Sequence, residues 1–384
     1  MADTATKLGL ITASPTEEIL TEGDVKTALE LGVPLKHYIG FEISGLMHLG
    51  TGLVTMSKVA QLQKAGVKCS VFLADYHSWI NRKLGDDLDL IRKTAVQYFK
   101  EGFKQCLKIS GGDPDKLDFV MGSDLYKKLG NDYLSTMIEV AKNANLARIQ
   151  RSITIAGRKE GEAVSFALMM YPIMQVADIF SQGVNIAHAG MDQRKAHVIA
   201  REVAPYLTVM PLKRKHDKHE EIYKPIALHN ELSMGLQQPP KWPVPKSEIK
   251  QMISDMKMSK SKPDSAIFIT DTEDNIRRKM MAAFCPAKDI EYNPVLQWAK
   301  LFIFNIGKEL TIKRQQKFGG TIHFENYEEL ERIFAHGELH PQDLKNGVAD
   351  ALVDALAPVR KYFEAPKHHQ LLEQLEKITR GTKV

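Results

Sequence analysis

Three groups of residues in this 384-residue chain have types and spacings that suit chemistry. The stretch "FEISGLMHLGTG", Phe41 to Gly52, reads as a glycine-rich loop leaving a strand and entering a helix. In an open α/β sheet, ligands bind beyond the carboxyl ends of the strands, and a helix N-terminus offers unpaired N–H groups to an anion. His48 and Gly50 are therefore placed for a nucleotide. Far downstream, Lys257, Met258, Ser259, Lys260 and Ser261 put two lysines and two hydroxyls into five residues. Such a loop can surround a triphosphate and move in as charge develops on a leaving pyrophosphate. Tyr171, Gln175 and Asp178 recur at i, i+4 and i+7 and share one helical face. They lie in Ala163–Ile179, the longest apolar stretch of the chain, so that face can line a pocket.

The elements that must position these groups alternate short β-branched or aromatic runs with amphipathic stretches from Lys36 onward, the pattern of βαβ units and a parallel sheet. His37–Phe41, Val67–Ala74, Leu117–Met121 and Val184–His188 read as strands. The spacing predicts helices from the glycine loop through Gln63, over Asp86–Ser110, about Asn131–Gln150, Glu162–Ser181 and Asp192–Val203. Between Pro205 and Asp255 the periodicity fades into "PLKRKHDKHEEIYKP" and "QQPPKWPVPK", read as an insertion or long surface loop over 208–256. Helical texture returns at Asp274–Ala283 and Pro294–Phe304, followed by a small hairpin, "LTIKRQQKFGGTIHF", and helices from Tyr327 and over Pro341–Phe363. The expected domains are an N-terminal extension over 1–35, an α/β domain over 36–270 with the lysine loop at 257–261, and a mainly helical domain over 271–384.

Composition bounds the function. With 43% hydrophobic and 26% charged residues the chain is ordinary globular material. Cys69, Cys106 and Cys285 lie far apart with no CxxC pair, which disfavours a zinc knuckle and a disulfide framework and suits a reducing, cytoplasmic compartment. The N-terminus reads as neither signal nor transit peptide, and no clean apolar run reaches the length of a membrane span. No metal-ligand cluster is legible. The net charge is +5, and residues 208–262 alone carry 11 Lys and Arg against 6 Asp and Glu, so the whole excess sits around the lysine loop. Residues 271–384 balance 17 against 17.

An HxGT loop before a helix, followed much later by KMSKS, resembles the paired signatures of class I aminoacyl-tRNA synthetases. "YIGFEISGLMHLG", "FLADYHSWI", "YPIMQVADI", "GMDQRKAHVIAREV", and "KFGG" with "LHPQDLKN" occur in order from about Tyr38 to Arg360 and look like the archaeal and eukaryotic type of tyrosyl-tRNA synthetase. The resemblance implies a Rossmann-like catalytic domain with a helical anticodon-binding domain, and a tyrosine–tRNA ligase that makes tyrosyl-adenylate from ATP before charging tRNA(Tyr). A tryptophanyl-type enzyme or a non-catalytic RNA-binding relative is the alternative.

The residues support tyrosine, since Tyr38 and Asp178 can accept from and donate to a buried phenol. By resemblance, Tyr171, Gln175 and Gln193 hold the substrate ammonium with Glu42 nearby, and His77 lines the pocket. ATP falls to His48, Gly50, Gly190, Met191, Asp192, Lys257, Ser259, Lys260 and Ser261, with Mg²⁺ accompanying the phosphates. Thr51 stands where the family's second histidine would be and adds a hydroxyl to the catalytic set of His48, Lys257 and Lys260. Phe318, His340 and Asp343 match the anticodon-reading positions, a ring for stacking and a carboxylate for base edges. The resemblance also implies a homodimer in contact around Gly122–Arg151 and no membrane partner.

Overall fold

A computed structural model of the chain describes residues 3–158, 162–216, 219–260 and 262–381. The chain divides into two compact units, one of Met1–Ser44, Gln61–Val96 and Asp115–Glu231, the other of Gly45–Ala60, Gln97–Pro114 and Leu232–Val384. This division differs from cuts at 35 and 270. The glycine loop and Gln97–Pro114 belong by packing with later residues: a Cβ at Gly52 would stand 2.9 Å from Cys106 Sγ and 3.1 Å from Ile269 Cγ2.

The first unit is built on a six-stranded sheet of β1 (Thr16–Leu20), β2 (Lys36–Phe41), β3 (Lys68–Leu73), β4 (Leu117–Met121), β5 (Ile186–Gly190) and β6 (Ile226–Asn230). The spatial order is β1-β6-β5-β2-β3-β4, with β1 antiparallel to β6 and every other pair parallel. From β2 the chain runs outward through β3 to β4, then returns to the other side for β5 and β6. The order therefore reverses between β2 and β5, and their carboxyl ends form the crevice where ligands bind in such sheets. This is the Rossmann-like, mostly parallel arrangement expected. Strand β6 is buried at every position, as suits a strand covered on both faces.

Several elements differ from the sequence reading. Strand β5 starts at Ile186, and Asn185 just before it ties the starts of β5 and β2 together, its Oδ1 accepting from the Lys36 N–H at 2.5 Å and its Nδ2 donating to the Pro34 carbonyl at 3.1 Å. The expected helix about Asn131–Gln150 is two helices, Asn131–Asn143 and Leu146–Ser152, the second capped by Asn145, whose Oδ1 accepts from the Ala147 N–H. A further helix, Gly122–Leu129, precedes them. The helix expected from Glu162 begins at Phe166 and runs to Ser181. The stretch 208–256 is not simply a loop. It contains β6, a hairpin of Lys213–His216 with His219–Ile222, and the helix Ile249–Met256. Residues 1–35, expected as an N-terminal extension, supply β1 and the helices Thr4–Thr12 and Glu22–Glu30.

The second unit is mainly helical. Its later part holds Glu273–Ala282, Pro294–Phe302, Tyr327–His336, Pro341–Phe363 and Pro366–Gly381 around an antiparallel pair of Leu310–Ile312 with Ile322–Phe324. Trp298 is wholly buried there, its indole N–H donating to the Met234 carbonyl at 2.8 Å. Among the described residues no helix is long and apolar enough to cross a membrane.

Candidate active site

Tyr38 leaves the middle of β2, its ring edge-on to Phe72 of β3 at 5.9 Å between centroids. Gly40 shares its face of the strand, and a Cβ there would lie 3.1 Å from the Tyr38 Oη, so the missing side chain makes room for the phenol. Across from it the helix Phe166–Ser181 places Asp178 in an apolar cluster that includes Val176, Ala177, Ile179 and Phe180. Asp178 Oδ1 accepts from the Tyr133 hydroxyl at 3.0 Å. Burial pushes its carboxyl up to about 8, against the hydrogen bond from Tyr133 and with the help of the Asp75 charge. Burial, and then the Asp178 charge, raises the Tyr38 phenol.

Asp178 Oδ2 and His77 Nε2 lie 3.6 Å apart, both buried and both without a hydrogen-bond partner. They do not form an ion pair at neutral pH, because burial drives His77 down to about 4 while it drives Asp178 up. Instead they are a carboxyl oxygen, largely protonated at neutral pH, and a neutral imidazole nitrogen, separated by a gap that one hydroxyl can bridge, accepting from the one and donating to the other. Leaving such groups unpaired costs about 1–3 kcal/mol each. His77 is steadied by an edge-on contact with Tyr171 at 4.6 Å between ring centroids.

Beside this phenol end lies a polar cluster. Glu42, just past β2, accepts from Asn81 Nδ2 at 2.8 Å and sits 3.6 Å from the Lys83 ammonium; burial, then the Glu42 charge, raises the Tyr171 phenol. Gln175 Nε2 donates to Gln193 Oε1 at 3.2 Å, and Gln193 Nε2 donates to the Ile155 carbonyl at 2.9 Å. Gln175 Oε1 is buried without a partner and can accept from a cation. Gly190 ends β5, and Met191, Asp192 and Gln193 form the 3-10 turn that follows, at the crevice between β5 and β2. Thus Tyr38, Glu42, His77, Tyr171, Gln175, Asp178, Gly190, Met191, Asp192 and Gln193 all belong to one unit.

The sequence reading missed the residues that support these. Tyr133 is the hydroxyl donor to Asp178, and Tyr126 stacks on it at 4.1 Å between centroids. Asn81 spans Glu42 and the Ala156 carbonyl and accepts from Arg158 at 3.1 Å. Asp75, fully buried, accepts from the Ser123 N–H at 3.0 Å and Arg92 Nε at 3.1 Å. None lies on a shared periodicity with the pocket helix, so only tertiary structure identifies them.

The two motifs read from the sequence as suited to phosphate lie in the second unit. The loop of His48 is sewn to the residues after the lysine motif, Leu49 N–H donating to the Ile267 carbonyl at 3.0 Å and Ile269 N–H to the Met47 carbonyl at 2.9 Å. Thr51 N–H donates to His48 Nδ1 at 3.2 Å, and Thr51 Oγ1 lies 3.3 Å from His48 Nε2. Burial, then the charges of Lys260 and Lys257, lowers His48 to about 3, so the ring is neutral. With Nδ1 accepting, the ring proton sits on Nε2 and donates to Thr51, which leaves the threonine hydroxyl proton for another acceptor. A Cβ at Gly50 would stand 3.2 Å from both His48 Nδ1 and Ser233 Oγ, which explains glycine there.

Lys257 pairs by its backbone with Met234, and the Met258 N–H donates to the Ser233 carbonyl at 2.8 Å. The Lys260 ammonium sits 5.2 Å from the centre of the Phe99 ring. Ser259 is half-buried, its carbonyl accepting from the Lys262 N–H, while Ser261 lies outside the described residues. Among the described residues no group of three or more His, Cys, Asp or Glu gathers in a way that could hold a metal.

Phe318 is 58% exposed at the end of a 3-10 turn, followed by Gly319 and Gly320, both in the left-handed region at φ 93° and 71°. His340 caps the helix Pro341–Phe363, its Nδ1 accepting from the Gln342 N–H, and Asp343 lies in that helix's first turn. Arg314, another residue unmarked by sequence, joins the two loops: its Nε donates to the Gly320 carbonyl at 3.0 Å and its Nη1 to the Glu338 carbonyl at 3.2 Å.

A family of tRNA synthetases, class I (W and Y), matches residues 30–357. A tyrosine–tRNA ligase of Thermococcus sibiricus is 56% identical over 378 residues, 98% of this chain and 99% of the relative. The crystal structure of tyrosyl-tRNA synthetase from Pyrococcus horikoshii complexed with L-tyrosine superposes with a TM-score of 0.92 at 52% identity, covering 98% of this chain and all of that one. A tryptophanyl-tRNA synthetase of Aeropyrum pernix reaches a TM-score of 0.64 at 20% identity over 99% of this chain and 88% of its own, a likeness of fold alone.

The raised Asp178 carboxyl makes a testable demand on stability. Its folded value, about 8, exceeds the ordinary 3.8, so the folded state holds the proton more tightly and its stability falls as pH rises between those values. Asp178→Asn removes the titration. In urea melts the variant should gain on the wild type from pH 4 to pH 8, with a slope of up to about 1.4 kcal/mol per pH unit. A pH-independent difference would contradict the burial of an ionisable Asp178.

Proposed function

This chain belongs to the class I tRNA synthetases for tryptophan and tyrosine, and we propose that within this family it is a tyrosine–tRNA ligase. It activates L-tyrosine with ATP and passes the tyrosyl group to the 3′ end of tRNA(Tyr). The observation that carries the amino-acid specificity is the orphaned pair of Asp178 Oδ2 and His77 Nε2 beside Tyr38, 3.6 Å apart in an apolar pocket. A phenol hydroxyl completes both. Phenylalanine leaves both unpaired, and the buried cost falls on the wrong substrate.

In the first step a tyrosine carboxylate oxygen forms a bond to the α-phosphorus of ATP as the bond to the β-phosphate breaks, and pyrophosphate leaves. In the second a hydroxyl of the terminal tRNA ribose attacks the tyrosyl carbonyl, and AMP leaves. The substrate is its own nucleophile, so the protein contributes position and charge. Glu42, Tyr171, Gln175 and Gln193 are assigned to the ammonium, and Gly190, Met191 and Asp192 to the adenosine. His48, Gly50, Thr51, Lys257, Ser259, Lys260 and Ser261 are assigned to the phosphates. Lys257 and Lys260 offset the charge that grows on pyrophosphate, and the Thr51 hydroxyl, freed as a donor by His48, reaches a phosphate oxygen. Mg²⁺ is assigned to the ATP phosphates, since this ion keeps several waters and binds largely through substrate oxygens.

Phe318, His340 and Asp343 are the proposed anticodon readers, supported by the exposure of Phe318 and by the Arg314 bridge between their loops. The segment from 271 onward is accordingly read as the anticodon-binding domain. A homodimer through Gly122–Arg151 is supported by Leu134 and Ile138, neighbours at i, i+4 on one helix and 55% and 51% exposed. A cytoplasmic setting is supported by three free cysteines, two of them buried.

Tyrosine-dependent ATP–pyrophosphate exchange tests the central reading. Exchange is expected with tyrosine and not with phenylalanine or tryptophan; equal exchange with either would overturn the specificity, and none with any amino acid would overturn the activity. Phe318→Ala should weaken aminoacylation while leaving adenylate formation intact, and equal loss of both steps would remove the anticodon assignment. Light scattering after size exclusion should give twice 43.2 kDa for the wild type and the single mass for a Leu134→Glu, Ile138→Glu double variant.

A further inference from the structure

Strand β1 lies against β6 with Glu18 opposite His229. The Glu18 carboxylate accepts from Arg194 Nε with both oxygens, at 3.0 and 2.8 Å, and from His229 Nδ1 at 2.9 Å. The His229 side chain is fully buried, and its Nε2 meets His197 Nδ1 at 3.0 Å with the two rings stacked. A carboxylate can only accept, so His229 carries its proton on Nδ1 and its Nε2 accepts from His197. The chain of hydrogen bonds therefore runs one way, from His197 through His229 to Glu18. Burial holds His229 below its ordinary range; Glu18 and Asp192 oppose this and Arg194 adds to it.

Arg194 is the first residue of the helix Arg194–Val203, directly after the Met191–Gln193 turn. Asn230, next to His229, lies opposite Gly190 in the ladder. Glu18 thus grips the residue at which the turn becomes helix and, through His229, the strand beside the turn's entry. The charge-assisted Nε–H, shared between both Glu18 oxygens, ties the guanidinium to the carboxylate at short distance.

We propose that Glu18, acting through Arg194 and His229, is a positioning residue that holds the Met191–Gln193 turn so that Asp192 meets the ribose hydroxyls of ATP. This rests on the assignment of Asp192 to ribose. None of the three touches the reacting atoms, and none is needed by the tyrosine pocket.

The test uses the full-length protein and the variants Glu18→Ala, Glu18→Gln and Arg194→Gln in tyrosine-dependent exchange, with ATP and tyrosine binding measured separately by calorimetry. Glu18→Ala should raise the KM for ATP about tenfold, with the KM for tyrosine held within about twofold. Glu18→Gln keeps one acceptor oxygen and should lose about threefold. An unchanged KM for ATP would overturn the proposal, and so would equal rises for ATP and tyrosine, which mark a general loss of fold. Should Glu18→Ala melt, Arg194→Gln carries the same expectations, because it leaves the Glu18–His229 hydrogen bond between β1 and β6 intact. A wild type that binds ATP yet exchanges no pyrophosphate would overturn the assigned activity instead, and the dissociation constants of the variants for ATP then decide the positioning role by the same fold-change.

Discussion

The proposed tyrosine pocket depends on a carboxyl group buried where its charge is disfavoured. Asp178 sits on the most apolar helix of the chain, and the surrounding groups relieve that burial only halfway: Tyr133 donates to one oxygen and the other has no protein partner. Tyr126, Tyr133, Phe72, His77 and Tyr38 pack ring against ring around it. A pocket completed by its ligand discriminates by what a wrong ligand fails to supply, so selectivity comes from the cost of an unmade hydrogen bond more than from shape.

The elements proposed to bind phosphate follow a different rule. Their groups are placed by backbone approaches that side chains would block, as at Gly50 and Gly52, and by ladders that tie residues 47–49 to 267–269. The departure of Thr51 from the paired-histidine pattern becomes intelligible in this setting. Threonine is short enough to bond to the neutral His48 ring while keeping its own proton to give, so the pair acts as one donor unit.

Much of this was legible from residue order. The turn between β2 and its helix, the shared face of Tyr171, Gln175 and Asp178, and the helix Pro341–Phe363 all follow from local chemistry: glycines, a 3.6-residue period, and proline in a first helical turn. What escaped was carried by tertiary contacts. Strand β6, "IALHN", is five residues long, ends in His229 and Asn230, and follows a lysine-rich hairpin, so its composition suggests a loop although every residue is buried. Tyr133, Asn81 and Arg314 also carry no local mark, because each acts on a partner distant in sequence.

The pairing of β1 with β6 has a consequence for biosynthesis. These strands, at residues 16–20 and 226–230, are the first and last of the sheet to be made, yet they are neighbours at one edge. While the ribosome is still translating, β5 has an open row of N–H and C=O groups where β6 will dock, and β1 has no strand to join. The unit cannot close its sheet until residue 230 has cleared the exit tunnel. A nascent chain paused before that point therefore presents an unpaired edge, a period in which association with other chains competes with folding.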